Sequence, residues 1–256
     1  MAEAIIAGIL ESQIAQADAV SVGDPMDNRR QYLEDKYGIR THINNSNALE
    51  GAELTVLAVK PQSLKHVMSE LKGTLARNNT VLSIVAGATT STLVDGLGHE
   101  AVIRVMPNTP AQIGAGMSVW TASAAVPEDR VEVTRQILIT LGEEHYADDE
   151  KLIDMAPALS ASGPAYVFLF IEALIDAGVY VGMARDVAKK LALQTILGST
   201  RLVKETGRHP TDLKDMVTSP GGTTIEALKA LEEAGFRASV LSAVSAAYAK
   251  SKILGG

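Results

Sequence analysis

Three continuous apolar runs constrain this chain most: Leu54-Thr55-Val56-Leu57-Ala58-Val59, Thr80 to Val85 and Ala101 to Met106. Each is rich in aliphatic and β-branched side chains, and each is stopped by a breaker: Lys60-Pro61, Ala86-Gly87 and Pro107. A strand that is apolar on both faces must be covered on both faces. Helices lie between such runs, so the pattern predicts a parallel sheet sandwiched by helices.

The intervening segments agree. Residues 1–15 predict a helix with Ile5, Ile6, Ile9 and Leu10 on one face. Ala19 to Val22 is a short apolar run ending at Gly23-Asp24-Pro25. Asp27 to Tyr37 predicts a polar helix closed by Gly38, and Pro61 opens a helix over Gln62 to Leu71. Met117 to Trp120 and Glu143 to Tyr146 read as later strands, with the helix Glu128 to Leu141 between them.

After residue 147 the period becomes helical throughout. Val187, Ala188, Leu191, Ala192 and Thr195 predict one buried helical face. Breaks fall at Gly163-Pro164, Gly182-Met183, Gly207 to Pro210, Ser219 to Gly222 and Gly235, dividing the second half into about five or six helices. The expected organisation is an α/β domain over 1–147 and an all-helical domain over 148–256. Small residues such as Ala173, Ala177, Gly178 and Gly198 permit close helix approach, suiting a bundle shared between subunits.

Composition excludes several functions. The net charge is −7 and no basic stripe is present, which argues against nucleic acid. With no cysteine there is no disulfide framework, thiolate nucleophile or cysteine-bound zinc. The five histidines are scattered with no ligand spacing, so no metal is expected. Met1-Ala2-Glu3-Ala4 lacks the basic start of a signal peptide. Ala165 to Ala184 is the most apolar stretch, but Glu172 and Asp176 interrupt it, so it reads as a buried helix and not a membrane span. The chain is expected to be soluble and cytoplasmic.

In a doubly wound sheet of this kind a dinucleotide lies across the carboxyl ends of the strands, so the loops after the strand runs carry the chemistry. Those loops are Ala58-Val59-Lys60-Pro61, Ser83-Ile84-Val85-Ala86-Gly87 and Arg104-Val105-Met106-Pro107-Asn108-Thr109-Pro110. In the helical half, Ser160-Ala161-Ser162-Gly163-Pro164-Ala165-Tyr166 turns into a helix, as does Ser219-Pro220-Gly221-Gly222-Thr223-Thr224. The latter is richer than a plain cap: free amides, the positive helix end and three hydroxyls favour an anion there.

Taken in order and spacing, these five motifs resemble the pyrroline-5-carboxylate reductase family over almost the whole chain. The resemblance implies a Rossmann-type nucleotide-binding domain followed by an all-α dimerisation domain. It also implies reduction of 1-pyrroline-5-carboxylate to L-proline by hydride transfer from NADPH, with NADH as the alternative. Ser219 and the backbone of Gly222 and Thr223 would hold the substrate carboxylate, Thr224 would bond the ring nitrogen and orient a proton, and Glu150 would lie near the substrate. Asn47 would lie near the adenosine. Ala58, Val59, Lys60, Pro61, Val85 and Ala86 would line the cofactor, and Asn108 and Thr109 would lie near the nicotinamide. Met1 and Ala2 match the end of the family's glycine-loop motif. The family's first strand and its glycines are absent from this sequence, so two neighbouring strand edges should be free and cofactor binding weakened. Asp24 suits a ribose hydroxyl, whereas Arg29 and Arg30 suit a 2′-phosphate. The family forms dimers and larger homo-oligomers. Two other readings compete: a β-hydroxyacid dehydrogenase or imine reductase, whose lysine on a glycine-rich helix has no match around Gly178 to Lys190, and a catalytically impaired dimerising protein.

Overall fold

The apolar runs become strands, and the breakers that stop them start the following segments. In this computed structural model, which describes residues 1–255, the order is α1 (Ala2–Glu11), β1 (Ser21–Gly23), α2 (Asp27–Tyr37), β2 (Arg40–His42), α3 (Asn45–Ala48), β3 (Leu54–Leu57) and α4 (Pro61–Leu71). There follow β4 (Thr80–Ser83), α5 (Thr90–Leu97), β5 (Val102–Pro107), β6 (Gly116–Ala122), α6 (Glu128–Thr140), β7 (Gly142–Tyr146) and α7 (Lys151–Ala156). A π-helical turn, Pro157–Ala161, leads to α8 (Gly163–Tyr180), α9 (Arg185–Thr206), α10 (Pro210–Met216), α11 (Thr223–Glu233) and α12 (Phe236–Gly255).

Local chemistry explains the boundaries. Lys60 is extended and Pro61 supplies the first turn of α4, where its missing N–H costs nothing. Leu64, Val67, Met68 and Leu71 then fall on one buried face. The Thr89 hydroxyl caps α5 by accepting from the Thr92 amide at 3.1 Å. The first helix stops at Glu11, short of the expected residue 15, because the backbone turns left-handed at Gln13 (φ 56°).

Strand order in the main sheet is β3-β4-β5-β6-β7, while β1 and β2 form a separate parallel pair. The three strands of the apolar runs are parallel as expected, while β6 runs antiparallel to β5 and β7 runs parallel to β6, directions the sequence left open. The cause is length. Only Asn108 to Ala115 connects β5 to β6, too few residues for the crossover that a parallel neighbour requires. Among the described residues, β1 pairs only with β2 and β3 only with β4, so each has one free edge.

Alternation along the central strands splits the core into two layers. Val81, Val85 and Val102 pack with Leu64, Val67, Leu71, Leu93 and Leu97 of α4 and α5. Leu82, Ile103 and Val105 point the other way and join Ile5, Trp120, Ile137, Leu138 and Leu141. Trp120 is fully buried and meets Tyr146 edge-on at 4.9 Å. Each fully buried aliphatic side chain contributes about 1.5–3 kcal/mol.

By packing, the chain divides into two compact units. One is Met1–Ser162 together with the chain from Ala247, and the other is Gly163–Ala246. The second is helical throughout, and its own core is thin. Ala188 and Ala192 are buried on α9, but Val187 and Leu191 of the expected buried face are 47% and 51% exposed. The apolar α8 holds no buried residue, which corrects the expectation of a buried helix within the single chain. Phe168, Leu169, Tyr180 and Leu241 are likewise exposed. One helical stretch, Lys151–Tyr180, is long and apolar enough to cross a membrane by length and composition alone. β2, α3 and α5 had no clear signal in the sequence: β2 is three polar residues, and α3 is a four-residue turn.

Gly142 opens β7 at φ +135°, and a Cβ there would lie 2.2 Å from the Gly116 carbonyl oxygen. Gly142→Ala is expected to lower unfolding free energy by at least about 2 kcal/mol, through backbone strain and displacement of the β6–β7 pair. Urea denaturation of the purified variant beside the parent measures it.

Candidate functional site

The site of the first unit is built on the carboxyl ends of β3, β4 and β5, which are parallel and therefore open their loops on one edge. Ala58 and Val59 are partly buried after β3, while Lys60 and Pro61 are exposed at the start of α4. Val85 is buried beneath the loop after β4, and Ala86 is exposed at its tip. Small side chains along this edge leave the backbone approachable, so the edge fits a dinucleotide. Met1 and Ala2 stand at the amino end of α1, where the Met1 carbonyl accepts from the Ile5 amide at 3.1 Å. Asn47 is exposed on α3, whose neighbour Asn45 is fixed by Glu70 through its amide (3.1 Å) and its side chain (2.8 Å).

After β5, Asn108 is occupied on both ends. Its Oδ1 accepts from the Met117 amide at 2.8 Å, and its Nδ2 donates to the Ser160 carbonyl and hydroxyl at 3.3 Å. It therefore fastens the loop to β6 and to the π-helical turn, with Thr109 exposed beside it.

Beyond β1, Arg30 donates to the Asp24 carbonyl at 2.8 Å and to Asp27 at 2.7 Å, and Asp24 accepts from the Met26 amide at 2.8 Å. Arg29 is held by Glu3 at 2.8 Å. Glu3 also receives Lys36, Tyr32 and Tyr37. Lys36 foremost, and Arg29 after it, hold the Glu3 carboxyl far below the usual carboxylate range.

Arg104 is the charged residue that sequence reasoning left without a partner. It sits within the apolar β5 run with only 3% of its side chain exposed. Its Nη1 donates to Glu150 at 2.7 Å and its Nη2 to Asp154 at 2.8 Å. The same Glu150 Oε1 accepts from the Thr90 amide at 2.8 Å and the Thr90 hydroxyl at 2.9 Å, at the amino end of α5. The sequence did contain a signal: an arginine inside a buried strand demands an acid, and Glu150 and Asp154 lie one helical turn apart. Burial pushes the Glu150 carboxyl upward, but the Thr90 amide and the Arg104 guanidinium more than offset it, leaving the group below its ordinary value.

The Ser219 to Thr224 turn lies in the other unit. Ser219 is exposed, Gly221 adopts φ +64°, and the Gly222 amide donates to the Ser219 carbonyl at 3.1 Å, closing the turn. Gly222 is the N-cap of α11 and supplies no side-chain cap. The first amides of the helix, from Thr223 onward, thus lack intrahelical partners, beside an exposed Thr223 and a partly buried Thr224.

A family model described as "Pyrroline-5-carboxylate reductase dimerisation" matches residues 150–254. Another, described as "NADP oxidoreductase coenzyme F420-dependent", matches residues 1–87. The chain is 44% identical to a pyrroline-5-carboxylate reductase of Synechocystis over 255 residues, covering 100% of this chain and 95% of that protein. Among solved structures, that of the Plasmodium falciparum pyrroline carboxylate reductase with NADP bound superposes with a TM-score of 0.89 at 34% identity, covering 99% of this chain and 94% of that one. The Coxiella burnetii pyrroline-5-carboxylate reductase superposes at 0.91 with 33% identity, covering 100% and 95%.

Because the Glu150 carboxyl is held low in the folded state, its contribution to stability is present above the unfolded carboxylate value and is lost as pH falls through the folded one. The difference in urea midpoint between the parent and Glu150→Gln is therefore expected to be steady from about pH 7 to about pH 5 and to shrink below about pH 4.

Proposed function

The chain belongs to the pyrroline-5-carboxylate reductase family, and from this premise we propose that it reduces 1-pyrroline-5-carboxylate to L-proline, the last step of proline formation, with NADPH preferred over NADH. The observation that carries the substrate assignment is the open amino end of α11 behind the Ser219–Gly222 turn. Unpaired backbone donors at a helix start, with no acidic side chain among Ser219 to Thr224, suit a small carboxylate.

In this reading Ser219 and the Thr223 amide hold the substrate carboxylate, and the Thr224 hydroxyl bonds the ring nitrogen and keeps its proton oriented. Gly222 acts by shape, since its amide closes the turn on the Ser219 carbonyl. Ala58, Val59, Lys60, Pro61, Val85, Ala86 and Thr109 hold the cofactor, with Met1 and Ala2, at the end of the glycine-loop motif, toward its pyrophosphate and Asn47 toward its adenosine. When bound, that cofactor supplies the hydride. The imine is already electrophilic when protonated, so the chain's residues need only hold the two reactants face to face and neutralise the carboxylate. Arg30, braced against the end of β1, is the residue proposed to favour a 2′-phosphate.

The proposal includes a homodimer or larger ring formed through the helical unit, and a cytoplasmic place of action. The exposed apolar side chains of α8 and the dimerisation match over 150–254 support the first. The chain's lack of cysteine is compatible with the second. The dehydrogenase and impaired-protein readings are not favoured, since relatives matching the full length carry the reductase name.

Two measurements test this. Oxidation of NADPH on adding pyrroline-5-carboxylate is expected to fall about 10- to 100-fold in kcat/KM with Thr224→Ala and about 10-fold with Ser219→Ala, most of it retained in Thr224→Ser. Unchanged rates in both alanine variants would overturn the site. Light scattering is expected to give at least twice the chain mass of 27.0 kDa.

A further inference from the structure

We propose that Arg104 is a positioning residue for the reaction, locking the cofactor-facing loop after β4 to α7 through the shared carboxylate of Glu150. Four observations support this. Arg104 is buried and chelates two acids one turn apart, Glu150 at the N-cap of α7 and Asp154 within it. Glu150 Oε1 gathers donors from two elements, Arg104 on β5 and both the amide and hydroxyl of Thr90. Thr90 directly follows the Ile84–Thr89 segment, which holds Val85 and Ala86 of the proposed cofactor wall. A second tie runs in parallel: Asn108 joins the loop after β5 to Ser160 and to β6.

The arrangement is costly if it serves stability alone. A buried ion pair is often matched or bettered by apolar residues of the same volume. What it does provide is register. α5 cannot slide along the sheet without breaking the Thr90 bonds, and α7 cannot tilt without separating Glu150 and Asp154 from one guanidinium. Its effect reaches the reaction through the position of Val85 and Ala86 and not through contact with substrate. This assigns Glu150, expected from the sequence to lie near the substrate, to the lock.

The proposal rests on the reductase reading, so the test has arms that do not need turnover. The variants are Arg104→Met, Glu150→Gln, the double variant and Thr90→Val, the last removing only a hydroxyl at a partly buried position. NADPH affinity is read by nicotinamide fluorescence, loop order by amide hydrogen exchange over residues 84–92, and kinetics by varying NADPH and pyrroline-5-carboxylate separately. Expected are a three- to thirtyfold rise in the NADPH dissociation constant, or an equal fall in kcat, for Glu150→Gln and Arg104→Met at about unchanged KM for the pyrroline. Exchange over 84–92 should quicken in both, and to a smaller degree in Thr90→Val. The double variant should lose less than the product of the two single losses, because one lock is broken only once.

A rise in the pyrroline KM confined to Glu150→Gln and multiplicative with Arg104→Met would make Glu150 a substrate contact and overturn the proposal. Unchanged affinity, exchange and kinetics in Glu150→Gln and Thr90→Val would overturn it as well. If the parent failed to turn over pyrroline-5-carboxylate while exchange and NADPH affinity still responded as expected, the reductase reading would fall and the lock would stand.

Discussion

The β4–β5 pair governs the rest of this molecule. Val81, Leu82 and Ser83 pair in parallel with Val102, Ile103 and Arg104, and all six are buried. Their alternating side chains seed both halves of the core, Val81 and Val102 on one face, Leu82 and Ile103 on the other. The carboxyl ends of the same strands carry the loops assigned to the cofactor. A single constraint, that buried backbone must be paired and both faces covered, thus sets the layering and the edge on which chemistry can occur.

Charge is used sparingly inside this frame. The fully buried guanidinium of Arg104 is matched by two acids drawn from a helix that begins after the last strand. The Glu3 cluster does comparable work nearer the surface, binding α1 to α2 through Arg29, Lys36, Tyr32 and Tyr37. Reduction of a protonated imine asks for little acid chemistry from the protein, and the groups proposed for it are backbone amides and hydroxyls at a helix end and small apolar residues at strand ends.

The helical unit follows a different logic. α8 is apolar over much of its length, yet no residue of it is buried within one chain. The segment combines the composition of a core helix with the exposure of a surface helix, and the dimerisation match spans it.

How much could be read beforehand depended on whether a residue's role was local. Leu54 to Leu57, Thr80 to Ser83 and Val102 to Met106 declared themselves as strands because an apolar run carries its own burial, and Pro61, Gly182, Gly207 and Gly235 marked breaks because their backbone preferences are their own. The ordered motifs placed the family. What the sequence left undecided was set by residues far apart along the chain, even where a buried arginine signalled that some acid was needed. The direction of β6 was fixed by a short connection folding back on β5, the exposure of α8 by the lack of a covering neighbour, and the pairing of Arg104 with Glu150, Asp154 and Thr90 by packing across separations of up to 60 residues. Intrinsic preferences and period belong to the chain itself. Partnership of buried polar groups exists only once the fold has brought them together.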